Sequence, residues 1–103
     1  MNAQLLGMDW GTFERDGKTV SYCRLYLMHQ YDERAQENDP EQGFVGRKVE
    51  RESCPRKLDF RRLEVGRWYE MVYDIRDTRD GKKAYLVDLV PLDGNPETGE
   101  AAA

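Results

Sequence analysis

The chain has 103 residues, with 16 Lys and Arg against 20 Asp and Glu, a net charge of −4 and 39% hydrophobic residues. That length allows one domain with a modest core and leaves little room for a deep active-site cavity. No apolar run approaches the roughly 20 residues of a membrane span, and the N-terminus lacks a basic segment followed by a long apolar one, so a soluble, cytoplasmic protein with no membrane partner is expected.

Residues 4–13 read as a first strand. Leu6, Met8 and Trp10 alternate along one face, and Gly7 and Gly11 interrupt the other, as happens where a strand bulges or coils sharply. Asp16-Gly17 is a hairpin-turn pair, because both residues tolerate positive φ. The second strand, residues 19–30, is the strongest in the chain: β-branched, aromatic and aliphatic, with no Gly or Pro. Side chains alternate between faces, so Cys23, Leu25 and Leu27 form a core face. Val20, Tyr22, Arg24, Tyr26 and Met28 form the other, where two tyrosines flank an arginine.

Residues 31–43 carry five acids against Arg34 and are broken by Pro40 and Gly43. They read as a long loop, with room for a helical turn over 33–37. Residues 44–52 form a third, rim-like strand with Val45, Arg47, Val49 and Arg51 on one face. Cys54-Pro55 breaks it, and residues 55–63 supply one or two helical turns through Leu58, Phe60 and Leu63. A fourth strand over 67–76 places Tyr69, Met71, Tyr73 and Ile75 on one face. A turn over 77–81 leads to a fifth strand, 83–91, where Tyr85, Val87 and Leu89 alternate with Ala84, Leu86, Asp88 and Val90. Residues 93–103 have no means of packing and are expected to be a disordered acidic tail behind a single domain of residues 1–92.

The sum is an all-β protein: a five-stranded Greek-key barrel of the OB type, with a short helical link between strands 3 and 4. An SH3-like barrel fits almost as well. The loop over 31–43 and the tail account for −4 and −3 of the charge, which leaves the rest of the chain at +3. Within it, residues 44–67 hold eight basic residues against four acids. The basic middle, not the net charge, is the feature that suits a polyanion.

The run G-M-D-W-G-T-F, the D-G-K turn, S-Y-C-R-L-Y-L, then L-E-V-G-R-W-Y-E-M-V-Y-D and a closing hairpin resemble small replicon-encoded single-stranded-DNA-binding proteins. These are the helix-destabilising proteins of filamentous phages, plasmids and related mobile elements. The resemblance implies an OB-type barrel, often a homodimer, that coats single strands without sequence preference. Carried over by position, Arg15 and Lys18 at the first turn, Tyr22, Arg24 and Tyr26 on strand 2, and Tyr85 on the second hairpin fall at the DNA groove.

The residue chemistry agrees. Tyr22 and Tyr26 can stack bases, while Arg24, Arg47, Lys48 and Arg51 meet phosphate. RNA is left open, since nothing visibly reads a 2′-hydroxyl. No Gly-rich phosphate loop, nucleophile motif or triad is present, so no enzyme and no cofactor are expected. Two cysteines without CxxC spacing and the single His29 do not make a zinc site, and Cys23 and Cys54 are expected as reduced thiols. Trp10 and Trp68 are expected in the core or at a dimer interface. The rival reading is a protein–protein adaptor using the same aromatic face, since Tyr, Trp and Arg are also enriched at interfaces.

Overall fold

The computed structural model describes residues 1–32 and 40–99; the turn expected over 33–37 and the end of the tail lie outside them. The chain forms β1 (Asn2–Arg15), β2 (Lys18–His29), β3 (Val49–Ser53), a 3-10 turn (Phe60–Arg62), β4 (Trp68–Thr78) and β5 (Gly81–Pro91). All five strands belong to one antiparallel sheet in the order β3-β2-β1-β4-β5. The return of β4 to the side of β1 is a Greek-key arrangement. No helix among the described residues is long and apolar enough to cross a membrane.

The sheet is open, not closed into a barrel. β3 and β5 are its two edges, and they do not pair with each other. β3 contributes only five residues before Cys54 and Pro55 carry the chain away. At the centre, β1 and β4 share just three register pairs, Asn2–Gln4 against Trp68–Glu70. The sheet therefore has a narrow waist from which two long hairpins diverge. The radius of gyration is 16.3 Å, against about 13 Å for a compact chain of this length.

The waist holds the core. Ala3, Leu5, Leu25, Leu27, Leu63, Tyr69, Met71, Leu86 and Leu89 are buried together, with Leu58 and Phe60 of the β3–β4 link packed against them. We call the face carrying Leu5, Leu25 and Leu27 the inner face. Asp59 caps the 3-10 turn by accepting from the Arg61 N–H at 3.1 Å, and the Tyr69 hydroxyl accepts from the Glu64 N–H at 2.8 Å. These bonds press the link onto the inner face.

Two bulges reset the expected alternation. In β1 the register shifts between Leu5 and Gly7, so Ala3 and Leu5 point inward, Leu6 is 44% exposed, and Met8 and Trp10 return to the inner face. In the β4–β5 pair, Tyr73 lies opposite Leu86 and Val72 opposite Asp88, which makes Val87 the extra residue. Leu86 and Leu89 thus both face the core, while Tyr85 faces out. A bulge shifts the phase by one residue, and a period of two converts that into a change of face.

Two further expectations change. The third strand begins at Val49 rather than at residue 44: Gly46 sits at φ +116, outside strand geometry, so Arg47 and Lys48 precede the strand. Trp10 is 59% exposed and rests on Phe60 with ring centroids 5.1 Å apart, because β1 has by then left the core. Trp68 is buried. Beyond β5, residues 92–99 turn back across the molecule: the Leu92 N–H donates to the Trp68 carbonyl at 3.0 Å, and the Glu97 carboxylate accepts from the Tyr31 N–H at 2.9 Å.

Candidate nucleic-acid interface

The first hairpin turns at Asp16 (φ 53) and Gly17 (φ 75), a two-residue turn whose twist matches the strands. It fixes the register, so Arg15 faces Lys18, Phe13 faces Val20, Gly11 faces Tyr22 and Asp9 faces Arg24. On the other side of β2, Tyr26 faces Arg51 and Arg24 faces Ser53. All of these residues share the outer face. Tyr22, Arg24, Tyr26 and Arg51 are therefore brought together, with Arg15 and Lys18 at the far end of the same surface.

Asp9 organises the middle of this surface. Arg24 grips it as a fork, Nε donating to Oδ1 at 2.8 Å and Nη2 to Oδ2 at 2.6 Å, while the Tyr26 hydroxyl donates to Oδ2 at 3.0 Å. The Arg24 hydrogen bonds, reinforced by Tyr26 and opposed by burial, hold the Asp9 carboxyl below the usual carboxylate range. The guanidinium in turn lies 5.0 Å over the Tyr22 ring. Arg24 is thus a positioned group whose charge is paired with that of Asp9.

The Tyr22 ring lies across Gly11. A Cβ there would sit 2.8 Å from the Tyr22 hydroxyl and 3.0 Å from Cζ, so only glycine lets the ring lie flat against β1. Phe13 extends the aromatic surface, its centroid 6.2 Å from that of Tyr22. The rings and the ion pair together make a ledge from Phe13 to Tyr26.

No family model, curated protein or solved structure matches this chain. By register, the outer face of β1, β2 and β3 carries Arg15, Lys18, Arg24 and Arg51 against the single carboxylate of Asp9. The inner face of the same strands carries Glu14, Glu50 and Glu52 and no Lys or Arg. Charge is sorted by face.

The remaining expected residues stand elsewhere. Arg47 is tied to the tail through Glu97, with Nη1 2.6 Å from Oε1, and covers the Tyr31 ring at 5.7 Å. Lys48 pairs with Glu50 at 2.9 Å. Tyr85 is on the outer face of the second hairpin, with Arg76 and Lys83 at 5.2 and 5.3 Å from its ring. It borders a groove of about 720 Å³ that also involves Arg56 and Lys57.

A second cavity, of about 770 Å³, opens on the inner side and is lined by His29, Tyr31, Glu50, Glu52 and Tyr73 among others. Burial and the neighbouring Glu52 and Glu50 push the Tyr73 phenol up to about 12. His29, which has no evident partner in the sequence, sits with Nε2 3.2 Å from Glu50. Arg47 and Lys48 line it together with Asp32, Glu50 and Glu52, so this mouth carries mixed charge.

Sequence reading missed the parts played by Asp9, Gly11 and Phe13. The turn carried the signal: a two-residue Asp16-Gly17 hairpin makes the sum of paired residue numbers constant, which puts Asp9 across from Arg24 and Gly11 across from Tyr22.

Proposed function

We propose that this chain binds single-stranded DNA without sequence preference, along the outer face of β1, β2 and β3. The observation that carries the reading is the sorting of charge and rings: three exposed or part-exposed rings and four cations on one face, with acids confined to the other apart from Asp9. Bases would stack on Tyr22, Phe13 and Tyr26, which tolerate any base because every base has a π-face. Arg15, Lys18 and Arg51 would meet phosphate, and Arg24 would hold the Tyr22 ring in place. From Lys18 to Tyr26 the strand runs about 26 Å at ~3.3 Å per residue, long enough for a few extended nucleotides.

A protein that captures only single strands pulls duplexes open by mass action, which is the helix-destabilising activity that the layout's resemblance to replicon-encoded binding proteins implies. The same reading treats the sheet as an OB-type barrel that lacks the pairing of β3 with β5. The strand order supports this, because those two strands are the edges that such a closure would join.

The test is fluorescence anisotropy of a labelled single-stranded oligonucleotide at low and moderate salt, with the wild type and the Tyr22→Ala/Tyr26→Ala variant. Each lost stack should cost about 1–3 kcal/mol. Three phosphate contacts should give a log–log salt slope of about −2. Absence of binding at low salt by folded wild type, or binding indifferent to salt, refutes the reading and favours an adaptor. Equal affinity for RNA of the same sequence would widen the ligand to single strands in general.

A further inference from the structure

Cys23 and Cys54 carry no signature in the sequence, yet the fold sets them face to face. The β2–β3 register that pairs Arg24 with Ser53 continues by one step to Cys23 and Cys54, and the Cys54 N–H donates to the Cys23 carbonyl at 2.9 Å. Directly opposed residues of an antiparallel pair are about 4.5–5.5 Å apart at Cα. That falls inside the window of about 4.4–6.8 Å that disulfides span. Opposed side chains share a face, here the inner one, and the two thiols are near enough to perturb each other's titration. Both are free and only half-buried, so a small reagent has access.

We propose that Cys23 and Cys54 are a reversible disulfide site, oxidised by a low-molecular-weight disulfide of the glutathione class. The thiolate of one cysteine attacks the small disulfide, forming a mixed disulfide and expelling one small thiolate. The second cysteine then attacks the protein-bound sulfur and expels the other. The protein sulfurs lose two electrons and two protons, and the small disulfide takes both up as two thiols. Burial pushes both protein thiols up, Cys54 to about 11 and Cys23 less strongly, so Cys23 makes the first attack and the uncatalysed reaction is slow at neutral pH.

The bond acts at a structural junction. Cys54 is where the chain leaves β3 for the link, and its Sγ already contacts the Pro55 and Leu58 carbonyls at 3.7 Å. The link carries Phe60, on which Trp10 rests, and Trp10 stands directly across from Cys23 on β1. Oxidation would fasten the short edge strand β3 and the link to β2. It would also place a disulfide, a quencher of indole emission, beside Trp10.

The full chain is incubated natively with glutathione disulfide, remaining thiols are alkylated, and the product is followed by intact mass, peptide mapping, non-reducing electrophoresis, melting and tryptophan emission. The expected product is a monomer that has lost two hydrogens, with Cys23 and Cys54 peptides joined. Its emission should be lower and its Tm higher by roughly 10 °C, both reversed by dithiothreitol. Cys23→Ser and Cys54→Ser should each stop at a mixed disulfide with no rise in Tm. If either fails to fold, reversal by dithiothreitol in the wild type supplies the same control. Thiols that stay fully alkylatable, a cross-link that forms only in urea, or a dimer linked between chains would each overturn the proposal. None of these readouts involves nucleic acid, so the outcome is independent of the proposed binding activity.

Discussion

Gly11→Ala separates the placement of the Tyr22 ring from the stability of the sheet. Gly11 does not adopt positive φ, so alanine fits its backbone, and relief of glycine's entropy in a strand is worth roughly 0.5–1 kcal/mol. The added Cβ would meet the Tyr22 hydroxyl at 2.8 Å, Cζ at 3.0 Å and Cε1 at 3.1 Å. Ordinary carbon contact needs about 3.5–4.0 Å, so the ring must lift by roughly 0.5–1 Å. Tyr22 is 37% exposed and can swing outward, which keeps the cost to folding low. We expect the urea midpoint to change by less than the equivalent of about 1 kcal/mol. Oligonucleotide affinity should fall by up to the value of one stack, about 1–3 kcal/mol or about 5- to 140-fold. In a Tyr22→Ala background the same substitution should be silent, so the double-mutant cycle isolates the ring's placement. Wild-type affinity in Gly11→Ala, with Tyr22→Ala clearly weakened, would show that the flat pose of the ring has no part in binding.

Leu27→Ala should cost about 2–5 kcal/mol, because Leu27 is fully buried at the waist; the urea midpoint should fall while the m-value holds. Asp9→Asn removes the acid that Arg24 grips, so affinity for single strands should rise and the salt slope steepen by about 0.7. Its pH signature follows from the depressed Asp9 pKa. In the wild type that stabilisation is fully present above the unfolded value of about 3.9 and is lost as pH falls through the lower folded value, whereas the variant should lack this loss in thermal melts from pH 6 to 2. Glu97→Gln weakens the tie to Arg47 and the Tyr31 N–H, and limited proteolysis should then cut after Pro91 faster than in the wild type.

What the sequence made legible depends on how far a period of two can be carried. The inner set Cys23, Leu25, Leu27 and the outer set Tyr22, Arg24, Tyr26 were readable because β2 is unbroken. β1 and β5 were not, because the shift at Leu6 and the extra residue Val87 each change the phase midway. Gly7 hinted at the first, but nothing in Y-L-V-D-L-V marks the second. Strand number and the short link were legible from turns and breakers. Closure was not, since it depends on whether two edges far apart in sequence meet, and β3 proved shorter than its composition suggested once Gly46 adopted φ +116.

The same periodicity explains why net charge is a poor guide to this molecule. In V-E-R-E-S the acids and the base are neighbours in sequence, but a strand sends Glu50 and Glu52 inward and Arg51 outward beside Tyr26. A ligand on the outer face meets the arginine, and the carboxylates are screened from it by the sheet. Burial, with Glu50 adding to it, raises the Glu52 pKa, so its charged form opposes folding, and that penalty grows as pH rises through the folded pKa. Glu52→Gln should therefore stabilise the protein at neutral pH and leave oligonucleotide affinity unchanged. Arg51→Gln should do the reverse, lowering affinity and reducing the salt slope by about 0.7 with little effect on melting. Effects on binding of similar size and opposite sign, tighter for Glu52→Gln and weaker for Arg51→Gln, would mean that the ligand responds to overall charge, and the face-specific interface would have to be abandoned.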